Sequence, residues 1–136
     1  MLMTFTFSFP LFQKARLMTD KLKILFVCTV NRMRSATAHK IFESDPRFEV
    51  DSAGTNKSAS IVLEPEQLEW ADVVMVMEKS HRNFIRHKYP EYYKTKTIVC
   101  LYIPDIFDYM QPELIDILKN KVAIVYKRGL LGFPKS

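Results

Sequence analysis

At 136 residues the chain is long enough for one domain with a real hydrophobic core, and too short for two domains of ordinary size. Its 48% hydrophobic and 26% charged content is ordinary for a globular protein, and no apolar run reaches the ~20 residues that a membrane-spanning helix needs. The net charge of +5 (20 basic, 15 acidic residues) includes Lys14 and Arg16 near the N-terminus; from Met18 onward the balance is 18 minus 15, or +3, which is too small to point to nucleic acid and fits a mildly basic surface around an anion site.

The first 17 residues are apolar from Phe5 to Phe12, but basic residues follow that stretch rather than precede it, and there is no small-residue cleavage site. They are expected to form a poorly ordered extension, with translation starting at Met18, ahead of a domain over 18–126 and a tail over 127–136. A weak signal peptide is the lesser alternative.

Residues 22–27 are nearly all apolar, the pattern of a strand buried on both faces. Residues 35–44 follow as a helix with Ala36, Ala38, Ile41 and Phe42 available for burial, broken by Asp45-Pro46. A second strand is expected over 48–53, closed by Gly54. A short helix over 65–70 and a third buried strand over 73–77 come next. Residues 79–87 predict a helix ended by Pro90, and 97–101 a fourth strand. The last helix, 112–126, has Pro112 in its first turn and Leu114, Ile115, Leu118, Val122 and Val125 along one stripe. This alternation predicts an α/β fold: a four-stranded parallel sheet with helices on both faces, a Rossmann-like three-layer arrangement. Ligands of such sheets bind beyond the carboxyl ends of the strands. Cys28 would end the first strand and Asp105 would lie just past the fourth, on the same rim.

The segment Cys28-Thr29-Val30-Asn31-Arg32-Met33-Arg34-Ser35 joins the first strand to the first helix. A cysteine, five residues, an arginine and a serine suit a phosphate-cradling loop with a thiolate at its base. Backbone N–H groups of residues 29–34 can turn inward toward an oxyanion. The Arg34 guanidinium can grip two phosphate oxygens. The helix N-terminus favours anions, the thiolate included. Asn31 tolerates left-handed backbone and can tie the loop together, and the Ser35 hydroxyl can donate to the Cys28 thiolate. The simpler structural alternative is a buried cysteine ending a strand, with Arg34 as a surface charge.

This segment resembles the signature of the low-molecular-weight protein tyrosine phosphatases, a family that also includes thioredoxin-linked arsenate reductases. Asp51-Ser-Ala-Gly54-Thr55 resembles the family's second strand and turn, Ala71-Asp-Val-Val-Met-Val-Met77 its third strand, and Ile103-Pro-Asp105-Ile-Phe107 its Pro-Asp-Pro-aromatic loop. The resemblance spans about residues 22–125 and is greatest to a short bacterial branch. It implies a phosphomonoesterase, in the first place a protein tyrosine phosphatase. Cys28 would be the nucleophile that becomes phosphocysteine, Arg34 would bind phosphate, and Asp105 would act as general acid and then base. Residues Thr29 to Ser35 would line the phosphate. Phe107 and Tyr109 would wall a phosphotyrosine ring, or one of them would pack under the loop. Asp108 competes with Asp105 for the acid role, with a turn or helix-capping role as its alternative.

The sequence departs from the family pattern at several places. Val30 stands where the family has Gly, and a β-branched residue resists positive φ. Met33 replaces a second loop cysteine, Ala36 a proline after the serine, and Ile106 the proline after the acid. Only sixteen residues separate Thr55 from Asp72, which removes a substrate-flanking segment of the family fold. These departures keep open a non-catalytic or weakly active phosphate-binding module. Arsenate reduction fits less well, because a resolving relay would have only Cys100 to use. A phosphotransferase-type phosphocysteine loop lacks the arginine.

No cofactor or metal is implied, and His39, His81 and His87, which lack ligand spacing, are expected to be surface or partly buried residues. The partner would be a phosphotyrosine protein or a small aryl phosphate, with neither nucleic acid nor membrane involved. Two cysteines, Cys28 and Cys100, fit the reducing cytoplasm. Cys100 is expected to be buried and inert, with oxidative pairing to Cys28 left open. Arg32 either meets an acidic substrate flank or is a solvated charge. Lys79, His81, Arg82, Arg86, His87 and Lys88 form a basic helix expected to be a solvated face, and Trp70, Met75 and Met77 are expected in the core.

Overall fold

The computed structural model describes residues 21–129; the expected extension over 1–17 lies outside them, as do the last seven positions of the tail. Four strands, β1 (Leu22–Cys28), β2 (Phe48–Gly54), β3 (Val73–Val76) and β4 (Thr97–Cys100), form one parallel sheet in the order β2-β1-β3-β4. The helices are α1 (Arg34–Phe42), α2 (Pro65–Trp70), α3 (Lys79–Lys88), α4 (Pro90–Thr95) and α5 (Pro112–Lys127).

The continuous apolar run of β1 follows from its central place. Ile24, Phe26 and Cys28 face one core and Leu25 and Val27 the other, and all five are buried. Strand β3 repeats the division, with Val73 and Met75 on the first side and Val74 and Val76 on the second. The first core is closed by Ala38 and Phe42 of α1 and by Leu114, Leu118, Val122 and Val125 of α5. The second is closed by Leu68 of α2 and Ile85 of α3, with Tyr92 and Tyr93 of α4 against it. Each fully buried Leu, Ile or Phe contributes about 1.5–3 kcal/mol, so the two cores fix the carboxyl end of β1 firmly.

The expected elements are all present, with three instructive differences. Pro90 ends α3 but also opens α4, because a proline suits the first position of a helix as well as the place after one. Ile115 is half-buried, and the α5 stripe is carried by the other four residues. In α1 the buried positions are Arg34, Ser35 and Thr37 together with Ala38 and Phe42, while Ala36 and Ile41 are half-buried. Three buried polar side chains in one helical turn point to a site, not to a core. Met75 and Met77 are in the core as expected, and Trp70 packs against the second core half-buried. Among the described residues no helix is long and apolar enough to cross a membrane.

Candidate active site

Strand order reverses between β1 and β3, since the chain leaves β1 toward β2 on one side and returns to β3 on the other. The crevice beyond the carboxyl ends of these two strands is where such a sheet binds its ligand. Cys28 ends β1 there, and residues 29–33 loop from it into α1.

The loop closes around the Cys28 sulfur. The Asn31 N–H donates to Sγ at 3.2 Å, and Ser35 Oγ lies 2.9 Å from it. Ser35 Oγ also donates to Asn31 Oδ1 at 2.6 Å. One hydroxyl hydrogen therefore has two claimants. With a thiol, the S–H donates to Ser35 and Ser35 donates to Asn31; with a thiolate, the Ser35 hydrogen turns to sulfur and joins the Asn31 N–H. No side chain caps the start of α1, so its first-turn N–H groups are left for an anion.

Val30 does not strain this loop. The left-handed residue is its neighbour Asn31, at φ 56°, a conformation Asn accepts readily, while Val30 is not left-handed. The segment after β2 supports the loop from below: Thr55, Asn56 and Ser60 N–H groups donate to the carbonyls of Cys28, Thr29 and Val30 at 2.9, 2.9 and 3.0 Å. Gly54 is required here, because a Cβ would come within 2.5 Å of the Thr29 carbonyl oxygen and 2.6 Å of Ala59 Cβ. Arg32 is exposed, with its guanidinium against Ser60 Oγ at 3.4 Å and the Ser58 carbonyl at 3.3 Å.

Arg34 is only 2% exposed. Its Nη1 donates to the Glu78 carboxylate and, at 2.8 Å, to the Ile103 carbonyl. Its Nη2 lies 3.7 Å from Asp105 Oδ1. The Asp105 loop thus reaches the same rim as Cys28. It is held by the Ile103 N–H on the Met77 carbonyl at 2.8 Å and by the Met110 N–H on Thr37 Oγ1 at 2.9 Å. Tyr102 and Met110, at φ 55° and 60°, carry the sharp turns at its two ends.

The remaining candidates divide. Asp108 sits in a turn, its N–H donating to Gln111 Oε1 at 2.9 Å and its carbonyl accepting from the Gln111 N–H; Gln111, not Asp108, is the helix cap. Phe107 packs half-buried against the first core, and Tyr109 is half-exposed. Cys100 is partly exposed, and it cannot reach Cys28. It registers through Val76 with Val27, two strand spacings or about 10 Å away, and belongs to the opposite face of the sheet.

Two residues at the site were not expected there. Glu78 follows β3 and holds Arg34. His81, expected at the surface or partly buried, is 2% exposed. Its Nδ1 accepts the Glu78 N–H at 3.0 Å, so its proton is on Nε2, which donates to Thr29 Oγ1 at 3.0 Å. Burial, and then the nearby Arg34 cation, push the imidazole down to about 4, so it is neutral near pH 7. The signal available in the sequence was the i, i+3 spacing of Glu78 and His81 at a helix start. Among the described residues, no group of three or more His, Cys, Asp or Glu side chains could hold a metal ion.

No family model matches the chain, and no curated protein matches it. Solved structures do match. The YwlE arginine phosphatase from Geobacillus stearothermophilus is 24% identical with a TM-score of 0.61, over 85% of this chain and 99% of that one. The tyrosine phosphatase Wzb from Escherichia coli K30, in complex with phosphate, is 20% identical with a TM-score of 0.65, over 81% and 99%. SP-PTP, a low molecular weight protein tyrosine phosphatase from Streptococcus pyogenes, is 14% identical with a TM-score of 0.66, over 79% and 93%. The chain has the fold of the low-molecular-weight protein tyrosine phosphatases.

Proposed function

We propose that the chain is a phosphomonoesterase, a protein tyrosine phosphatase in the first place, that works through a phosphocysteine on Cys28. The observation that carries this reading is the meeting of four groups on one rim: the Cys28 sulfur, the Asn31 N–H and Ser35 hydroxyl that bond it, and the Arg34 guanidinium beside Asp105. The likeness in fold to Wzb and SP-PTP supports it.

In the first step the Cys28 thiolate attacks phosphorus, a P–S bond forms and the bond to the leaving oxygen breaks. Asp105 gives its proton to that oxygen. The loop N–H groups and the Nε/Nη2 edge of Arg34, which faces Asp105 at 3.7 Å, take the charge on the phosphoryl oxygens. In the second step Asp105 removes a proton from water, the water oxygen attacks phosphorus, the P–S bond breaks, and inorganic phosphate leaves. Asp105 suits this exchange because it is 63% exposed and can reach solvent.

Some neighbours of this fold are arginine phosphatases. Arg32 is exposed on the loop with its guanidinium on Ser58 and Ser60, and a cation on the loop favours an aryl phosphate over a substrate that carries a second cation. The two cysteines, one of them the nucleophile, suit a reducing cytoplasm.

The test is para-nitrophenyl phosphate and phosphotyrosine-peptide hydrolysis from pH 5 to 8 with EDTA present. Turnover should vanish in Cys28→Ser, and peptide turnover should fall about 10²–10⁴-fold in Asp105→Asn. Vanadate binding without turnover in the wild type would make the protein a phosphate-binding module; full turnover in Cys28→Ser would refute the mechanism.

A further inference from the structure

We propose that Glu78 and His81, at the start of α3, are positioning residues that clamp the phosphate loop: Glu78 sets which edge of Arg34 meets the phosphate, and His81 sets the Thr29 hydroxyl. The inference rests on the phosphate-site reading given above.

A guanidinium has five N–H donors in one plane, and two of its edges can grip a phosphate. Arg34 Nη1 has two hydrogens, and both are engaged, one by the Glu78 carboxylate and one by the Ile103 carbonyl. The Nε/Nη2 edge, with Asp105 Oδ1 3.7 Å from Nη2, is the one left to meet an anion. Without Glu78 the guanidinium would keep only the Ile103 carbonyl and the more distant Asp105, and a buried charge would lose its nearest counter-charge. Sheet geometry fixes where Glu78 stands. The Met77 N–H donates to the Val27 carbonyl at 3.0 Å, which carries the β1–β3 pairing to the residue before Glu78.

The same turn of helix reaches the other side of the loop. His81 has both ring nitrogens engaged, one accepting from the Glu78 N–H and one donating to Thr29 Oγ1. The Thr29 oxygen accepts that bond, so its own hydroxyl hydrogen is directed elsewhere and can donate to an oxyanion held by the loop. The His81 N–H also donates to the Glu78 carbonyl at 3.1 Å, so the two residues hold each other through two bonds. One short segment after β3 therefore sets two donors at opposite ends of the loop, Thr29 just after Cys28 and Arg34 at the start of α1.

The test is a pair of double-mutant cycles read by vanadate affinity and by para-nitrophenyl phosphate kinetics. Thr29→Val and His81→Leu are apolar replacements of similar volume, and His81→Gln keeps one acceptor and one donor. Glu78→Gln keeps an acceptor for Arg34, and Glu78→Ala removes it. Glu78→Ala is expected to weaken vanadate binding at least about tenfold, with Glu78→Gln recovering most of it. In an Arg34→Ala background the same change should cost nothing further. His81→Leu should lower kcat/KM about as much as Thr29→Val, His81→Gln should restore it, and the Thr29→Val/His81→Leu pair should lose no more than either alone.

Losses that multiply in both pairs, or Gln variants as impaired as Ala and Leu, would overturn the clamp. A wild type that binds vanadate but turns nothing over would refute the phosphatase reading while the vanadate cycles still decide the clamp. A wild type that does not bind vanadate would overturn both.

Discussion

Acid should unfold this protein partly through one imidazole. His81 is neutral in the folded chain, where Nδ1 accepts a backbone N–H and burial and Arg34 hold its pKa at about 4. In the unfolded chain the same ring takes a proton near 6.5. Between these values the unfolded state binds the extra proton, so stability falls as pH falls. The loss begins below about 6.5, is complete near pH 4, and does not grow further. A difference of 2.5 pH units (6.5 minus 4) corresponds to at most about 3 kcal/mol, a large part of a typical domain's 5–15 kcal/mol. Urea unfolding of wild type and His81→Gln at pH 7, 5.5 and 4.5, at fixed ionic strength, isolates the effect, because the carboxylates contribute alike to both. The wild type should lose about 2–3 kcal/mol more than the variant between pH 7 and 4.5. Parallel pH dependences would refute the burial and the tautomer assigned to His81.

Two further substitutions probe the loop. Gly54→Ala would drive a Cβ into the Thr29 carbonyl and Ala59, both close to the loop's base, and should lower stability by roughly 1–3 kcal/mol in urea unfolding and reduce phosphate affinity. Val30→Gly should not improve the enzyme, because Val30 is not left-handed; it should cost up to about 1 kcal/mol through the freer unfolded chain, with turnover unchanged or lower.

The sheet was readable because its central strands are buried on both faces, which makes residues 24–28 and 73–77 apolar without interruption. The cysteine loop was readable because its chemistry is local, with Ser35 seven positions after Cys28. Glu78 and His81 were not, because they are 44 and 52 residues from the atoms they hold, and a charge at a helix start looks like solvated surface. Cys100 could be ruled out as a partner for Cys28 only from register: one position along a strand changes the face, and that phase depends on pairing across β3. Phe107 illustrates the same limit, since a loop aromatic can wall a site or pack beneath it, and here it packs against the core.

The most direct test of the central claim is rapid-quench mass spectrometry of Asp105→Asn during para-nitrophenyl phosphate turnover. Its leaving group needs little protonation, whereas hydrolysis of the intermediate needs the base that Asp105 supplies, so the intermediate should accumulate. The expected result is the mass of one added phosphoryl group, mapped to Cys28. Turnover with no covalent phosphate, or phosphate on another residue, would contradict it.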